Sequence, residues 1–419
     1  MPRILHFADA HIDLANYGPH DASTGLPVRI MDFLRSLDQI ITAAVREEVD
    51  LVIFAGDAYK DRSPAPTFQR EWGRRIMRLS RAGIPTLLLI GNHDLSPAVG
   101  RAHALSEFAT LDVPHVLTLS EPSFLSAEEL SRLGPEGTDL NLQVLALPWI
   151  SRSQINRYVE DVPRNSGALG EAFQTWLRIW FEEQLDKADP GTPIALAAHA
   201  TVEGAVYGNE RSVMLGKDLV IPADLAAHTD LDYTALGHIH KPQNLNSDGH
   251  PPVVYPGSIE RIDFGEAEDR KYYLIADVER GETELRWEEL KNLRPYLKCR
   301  LKLNTKENLT DQILEALPPQ QEVEGAVARL VLEYPRIWDP LIEESPIFDH
   351  FQQAFEFHLV RQPITEKRIR LPDDRLAGSL DPLELLDHYW EASQVPEDEI
   401  AALNQLAREI IHREEGEDS

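Results

Sequence analysis

Pro85-Thr86-Leu87-Leu88-Leu89-Ile90-Gly91-Asn92-His93-Asp94 joins an apolar run directly to an amide, an imidazole and a carboxylate. The apolar half reads as a buried strand, so the polar triplet falls at a strand's carboxyl end. In open α/β sheets that edge is where ligands bind. Taken alone, Gly91-Asn92-His93-Asp94 fits an ordinary turn equally well, because Gly, Asn and Asp all favour turns. The chain on either side decides between the two.

Upstream, Asp50-Leu51-Val52-Ile53-Phe54-Ala55 is a second apolar run, and it ends in Gly56-Asp57. Further back, Arg3-Ile4-Leu5-His6-Phe7-Ala8 delivers Asp9 and His11, whose two-residue spacing points both side chains to one side if the backbone stays extended. Between these runs, Ile30, Phe33, Leu34, Leu37, Ile40 and Ile41 recur at helical spacing and predict a helix from Val28 to Val49. Phe68, Trp72, Ile76 and Leu79 predict another that ends near Gly83. Strand, helix, strand, helix and strand in succession predict an α/β fold with polar groups gathered at one sheet edge.

Downstream the device repeats. Leu142 to Leu147 reads as a strand, and Phe173, Trp176, Leu177, Trp180, Phe181 and Leu185 mark a helix. Pro193-Ile194-Ala195-Leu196-Ala197-Ala198 runs into His199, and Tyr233-Thr234-Ala235-Leu236-Gly237 into His238-Ile239-His240. Each tip has a plain reading of its own: a surface Asp and His, a satisfied core histidine, a loop. Five tips carrying Asp, His, Asp, Asn, His, His and His form a donor set suited to divalent metal.

Composition sets limits. The chain has 419 residues with 42% hydrophobic and 26% charged, which suits a folded protein of two or three domains. No apolar run approaches the roughly 18 residues of a membrane helix, and Met1-Pro2-Arg3-Ile4-Leu5 lacks a charged-then-apolar leader, so no membrane association and a cytoplasmic location are expected. Cys299 is the single cysteine, which excludes an internal disulfide and a thiolate cluster. The formal net charge of −29 opposes nucleic-acid binding unless bound cations or a partner supply positive charge.

Asp9-x-His11, Gly56-Asp57, Gly91-Asn92-His93-Asp94, His199 and Gly237-His238-x-His240, in that order, resemble the signature of the calcineurin-like metallophosphoesterases. The resemblance implies a four-layer α/β/β/α sandwich around two divalent metal ions; the imidazole, amide and carboxylate donors suit manganese, with magnesium the other candidate. It implies that Asp9, His11 and His240 hold one ion, that Asn92, His199 and His238 hold the other, and that Asp57 bridges both. His93 would face the substrate as a catalytic residue, and Asp94 would orient its ring. Gly56-Asp57-Ala58-Tyr59, Tyr255-Pro256-Gly257-Ser258 and Asp263-Phe264-Gly265-Glu266 further resemble the SbcD-type nuclease subunits, which act with an SbcC-type coiled-coil ATPase on DNA breaks and hairpins. Those subunits often carry a histidine three residues after the bridging aspartate, where this chain has Lys60, either a phosphate contact or a solvated side chain.

Residues 1–290 thus read as a nuclease domain, closed by strands at Lys271 to Val278 and Glu284 to Trp287. Residues 291–372 read as a small α/β domain, by the resemblance a capping domain that would orient DNA, with strands at Leu297 to Leu303 and Ala326 to Tyr334, a short helix at Asp311 to Leu317 and another from Phe348 to Leu359. Lys298, Arg300, Lys302 and Lys306 suit phosphate contacts or a solvated strand face. Residues 373–419 read as a helical pair: Asp381-Pro382 starts one helix, with Leu383, Leu386 and Trp390 along a stripe, and a second carries Ile400, Leu403, Leu406, Ala407, Ile410 and Ile411. This segment has 14 acidic and 3 basic residues, so it repels DNA and, by the resemblance, docks on the ATPase. The resemblance also suggests a homodimer through residues 65–110. Two other readings stay open: a phosphodiesterase or phosphatase on a non-DNA substrate, and a non-catalytic scaffold at DNA ends.

Overall fold

This computed structural model describes every residue except 15–16, 96–100, 153, 160–165, 209–218, 365–380, 393–398 and 409–419. The expected helix positions Ile410 and Ile411, and part of the 65–110 segment, lie outside the described residues.

The first sheet contains β1 (Arg3–Phe7), β2 (Leu51–Phe54), β3 (Thr86–Leu89) and β4 (Val116–Leu119). The second is built mainly on β5 (Ser123–Leu125), β6 (Gln143–Leu147) and β7 (Ile194–His199). A two-stranded pair, β8 (Thr201–Val202) and β9 (Val220–Ile221), precedes β10 (Tyr233–Gly237), β11 (Gln243–Asn244) and β12 (Val253–Tyr255) of the second sheet. The hairpin β13 (Tyr272–Glu279) and β14 (Glu282–Glu289) returns to the first. The six-stranded orders are β14-β13-β1-β2-β3-β4 and β11-β12-β10-β7-β6-β5. Strands β1, β2, β3 and β4 pair in parallel, as do β6, β7, β10 and β12, so their carboxyl ends collect at one edge of each sheet.

The helices of this part include α1 (Val28–Arg46), α2 (Pro66–Arg81), α3 (Ser106–Thr110), α4 (Ala127–Leu133) and α5 (Ser166–Leu185). Alternation along the strands divides the core. Leu5, Val52, Phe54 and Leu88 pack with Ile30, Phe33, Leu37 and Trp72 from α1 and α2. Their neighbours Ile4, Leu51, Ile53, Leu87 and Leu89 pack against Val144, Ala146, Ala195, Ala197 and Ala235 of the second sheet. That sheet's other face, through Leu145, Leu196 and Leu236, meets Phe173, Leu177 and Phe181 of α5. Successive strand side chains point to opposite faces, so continuous apolar runs serve two clusters at once. His6 sits at the junction of the sheets: its Nε2 donates to the Leu236 carbonyl (3.1 Å) and its Nδ1 accepts from the Tyr233 hydroxyl (2.9 Å).

The chain divides into two compact units. The first comprises Met1–Cys299, Pro318–Arg329 and His350–His358, so it does not stop at residue 290 but takes in pieces of the expected capping domain. Arg294 explains part of this: its guanidinium donates to Asp32 Oδ1 of α1 (2.9 Å) and to the Gly325 carbonyl (2.8 Å), and lies 3.7 Å from the Phe355 ring centroid. The second unit comprises Arg300–Leu317, Leu330–Asp349 and Leu359–Ser419.

Beyond β14, a three-stranded sheet is ordered β15 (Tyr296–Lys302), β16 (Val327–Pro335) and β17 (Glu356–Ile364). The helix expected over Phe348 to Leu359 is a correction: it spans only Ser345–His350, and Glu356 onward is strand. Glu356-Phe357-His358-Leu359-Val360 is rich in strand-favouring side chains, and pairing beside β16 satisfies its backbone. In the tail, Asp381 Oδ1 accepts from the Leu383 backbone N–H (3.1 Å) at the start of the Pro382–Ala392 helix. Trp390 Nε1 donates to Asn404 Oδ1 (3.0 Å), which ties that helix to the one over residues 399–408.

Candidate metal centre

Except at His199, the last residue of β7, the strands stop before the ligands begin. β1 ends at Phe7 and β10 at Gly237, while Asp9, His11, Asp57 and His238 all have positive φ, at 50°, 39°, 64° and 99°. The expected extended geometry for Asp9-x-His11 and His238-x-His240 is therefore corrected. Left-handed residues turn the chain sharply at each tip, a conformation that favours glycine and persists where the surroundings over-determine it. As a result His238 and His240 go to different partners rather than pointing together.

Crowding enforces glycine at the tips. A Cβ on Gly91 would lie 2.1 Å from Asp57 Oδ1, and one on Gly237 would lie 2.0 Å from the Ala55 carbonyl oxygen. Backbone bonds then stitch the tips together: Asp9 N–H donates to the Gly56 carbonyl (3.0 Å) and Ala10 N–H to the Asp57 carbonyl (2.9 Å). Asp9 crosses between sheets, with both carboxylate oxygens 3.0 Å from the His238 N–H.

The side chains form two overlapping groups, Asp9, His11 and His240 in one and Asp9, Asp57 and His199 in the other, with donor atoms within 4.8 Å of one another. His11 Nε2 faces His240 Nε2 at 3.2 Å. Asp57 Oδ2 lies 3.8 Å from His11 Nε2 and 3.5 Å from His199 Nε2, between the groups, while its Oδ1 accepts the His93 backbone N–H at 2.8 Å. Asn92 Oδ1 stands 3.1 Å from His199 Nε2 and 3.0 Å from His238 Nδ1. All seven residues singled out as ligands are thus brought together, and Asp9, like Asp57, reaches both sides.

The outer nitrogens show what the inner ones can do. His11 Nδ1 donates to the Tyr59 carbonyl (3.2 Å), His199 Nδ1 to the Ala55 carbonyl (2.6 Å) and His240 Nδ1 to Glu266 Oε1 (3.2 Å). In its neutral form each ring therefore keeps its Nε2 lone pair for the interior. Two such lone pairs 3.2 Å apart repel unless a cation lies against them, so the donor set fits divalent metal. The electrostatics agree. Burial lowers His11 well below its ordinary value and raises Asp9. Burial would raise Asp57, yet the surrounding imidazoles of His199 and His93 hold it well below the usual carboxylate range. Burial would lower His199, but Asp57 beside it pushes it up to about 9. Asp57 thus favours positive charge beside it.

His93 and Asp94 separate. The His93 ring, 5.3 Å from that of His11, donates from Nδ1 to the Lys60 carbonyl (2.9 Å). Asp94 is fully buried and accepts three backbone N–H groups, from Asp57 (2.9 Å), Ala58 (3.0 Å) and Gly91 (2.9 Å). It pins the loops that carry Asp57 and Asn92, and the Lys60 carbonyl orients His93 instead.

Sequence reasoning passed over Trp149 and assigned no site role to Ser258, Glu266 or Lys271. Trp149 follows β6, and its ring lies 4.9 Å from His238 and 6.1 Å from His199. Its signal was position: it trails an apolar run as the ligands do. Glu266 and Lys271 carried no such signal, because nothing local says that a Glu and a Lys flanking a strand start will be buried.

A family model for calcineurin-like phosphoesterases matches residues 2–242. The chain belongs to the calcineurin-like phosphoesterase family. It is 26% identical over 275 residues to the uncharacterized metallophosphoesterase YhaO of Bacillus subtilis, covering 65% of this chain and 56% of that one. It is 26% identical over 290 residues to the SbcD component of the SbcCD nuclease of the same organism, covering 69% of each. It is 29% identical over 266 residues to the DNA double-strand break repair protein Mre11 of Aeropyrum pernix, covering 62% of this chain and 54% of that relative. The chain thus spans little more than half the length of two of these relatives. Among the described residues, no helix is long and apolar enough to cross a membrane.

Proposed function

We propose that this phosphoesterase is a two-metal DNA nuclease, cleaving phosphodiesters as exonuclease and endonuclease at breaks or hairpins in concert with an SbcC-type ATPase. The observation that carries the reading is Asp57 Oδ2, placed between His11 Nε2 and His199 Nε2. A carboxylate so placed can serve two ions, with Asp9, His11 and His240 on one side and Asn92, His199 and His238 on the other. Divalent cations bound there would supply Lewis-acid charge for a scissile phosphate and would acidify a water nucleophile.

The chain's own residues do the rest. Asp57 is aimed by the His93 N–H on its other oxygen, and Asp94 holds the backbone beneath it. The partial exposure of His93 beside His11 supports a role in steadying the phosphate or protonating the leaving oxygen. Nuclease names among the relatives support DNA as substrate. The net charge of −29 supports a partner that supplies basic surface, and the acidic tail suits docking on a protein rather than on DNA.

The test is purified protein with manganese, with and without the partner ATPase and ATP, on linear DNA, hairpin DNA and a small chromogenic phosphodiester. Cleavage of DNA supports the proposal. Activity confined to the small ester would assign a non-DNA phosphodiesterase, and no activity on any substrate would assign a scaffold.

A further inference from the structure

Lys271, immediately before β13, is 0% exposed, an unusual place for an ammonium. Its three donors are all used: Nζ reaches Glu266 Oε2 (2.7 Å), Ser258 Oγ (2.8 Å) and the His240 carbonyl (3.3 Å). Glu266 Oε2 also accepts from the Ile262 N–H (3.0 Å) and the Ser258 hydroxyl (3.1 Å), while Oε1 is 3.2 Å from His240 Nδ1. His240 is therefore gripped twice, at its ring by Glu266 and at its backbone by Lys271. The His240 N–H partner is an ionised carboxylate, whereas His11 and His199 use the neutral carbonyls of Tyr59 and Ala55.

We infer that Lys271 and Glu266 are positioning residues for one of the two ion sites, a buried pair that orients His240 and makes its imidazole a stronger donor. The inference rests on the metal centre proposed above. Stability alone does not call for the pair, since apolar residues of like size in place of a buried ion pair are often neutral or stabilising. What an apolar pair cannot do is hold an ionised carboxylate against His240 Nδ1, fix its tautomer and leave Nε2 free beside His11. With Lys271 gone, Glu266 is a buried carboxylate that has lost its cation partner at 2.7 Å, and its hold on the ring weakens.

The consequence is selective. The ion held by Asp9, His11 and His240 depends on this chain of contacts, and the ion beside Asn92, His199 and His238 does not. The experiment is a manganese titration of the whole chain, reading free ion by electron paramagnetic resonance, with folding of the metal-free protein followed by circular dichroism. Wild type should bind two ions. Lys271→Met should weaken one of them by about 10- to 100-fold and leave the other unchanged. The double variant Lys271→Met/Glu266→Gln removes both charges while keeping an amide oxygen for His240, and should fold with a smaller loss at the same site. Variants that bind both ions as wild type does, or that weaken both equally, would overturn the inference. So would failure of both to fold without metal, which makes the pair structural. Fewer than two ions on wild type would instead count against the metal-centre reading.

Discussion

Asp94 binds the backbone of Asp57, not the ring of its neighbour His93: its Oδ2 accepts the Asp57 N–H at 2.9 Å and the Gly91 N–H at the same distance. One buried carboxylate thereby joins the β2 and β3 tips. Asp94→Ala leaves those N–H groups without their acceptor, at about 1–3 kcal/mol for each buried group left unpaired. Expected outcomes are a lower denaturant midpoint for the metal-free protein and weaker binding of both ions. Unchanged metal binding in calorimetric titration would contradict this role.

His93 should behave in the opposite way. It contributes its ring, held on the Lys60 carbonyl, and the backbone N–H that aims Asp57, and alanine retains the N–H. His93→Ala is therefore expected to bind two ions with near wild-type affinity while cleavage falls by about 10²- to 10⁴-fold. Near-normal turnover in a variant of confirmed metal content would remove His93 from the mechanism.

Stability should depend steeply on Asp32. This side chain is buried on α1 and pairs with Arg29 (3.0 Å) and Arg294 (2.9 Å). Arg29, itself 0% exposed, also lies 3.7 Å from Glu260 and 4.7 Å from the Phe33 ring centroid. Removing Asp32 strands buried positive charge, so Asp32→Ala should lose about 3–5 kcal/mol in urea unfolding. A loss below about 1 kcal/mol, in the range of exposed pairs, would show that the network is not stabilising.

His6 predicts a pH dependence. Burial between the sheets lowers its imidazole from 6.5 to about 3. The unfolded chain takes up a proton below pH 6.5 and the folded one does not until near pH 3, so stability falls as pH drops through that window. His6→Leu removes this term, although it leaves the Tyr233 hydroxyl without its acceptor. Unfolding free energies at pH 7.5 and 5 should differ less in His6→Leu than in wild type, by about 1–2 kcal/mol. Equal differences would exclude His6 as a source of acid sensitivity.

Much of the centre was legible because strand tips are a local property. Apolar runs ending in Asp9, Asp57, Asn92, His199 and His238 mark the α/β fold and its ligand edge, and each run can be read within about ten residues. The apolar stripes of α1, α2 and α5 were likewise plain from their spacing. The β17 segment was not. Its residues fit strand or helix in isolation, and the vacant edge of β16 decided the matter.

By itself the sequence determined which residue types stand at each tip, and hence the metal chemistry available, because side-chain identity and strand periodicity are written residue by residue. Tertiary structure alone decided their partners. A left-handed turn at His238 sends it to Asn92 while His240 goes to His11. Asp94 was turned from the His93 ring to three backbone N–H groups, and Glu266 and Lys271 came to lie behind His240. Those pairings arise from burial, where a polar group must satisfy its hydrogen bonds with whatever the packed sheets bring near, however distant in sequence.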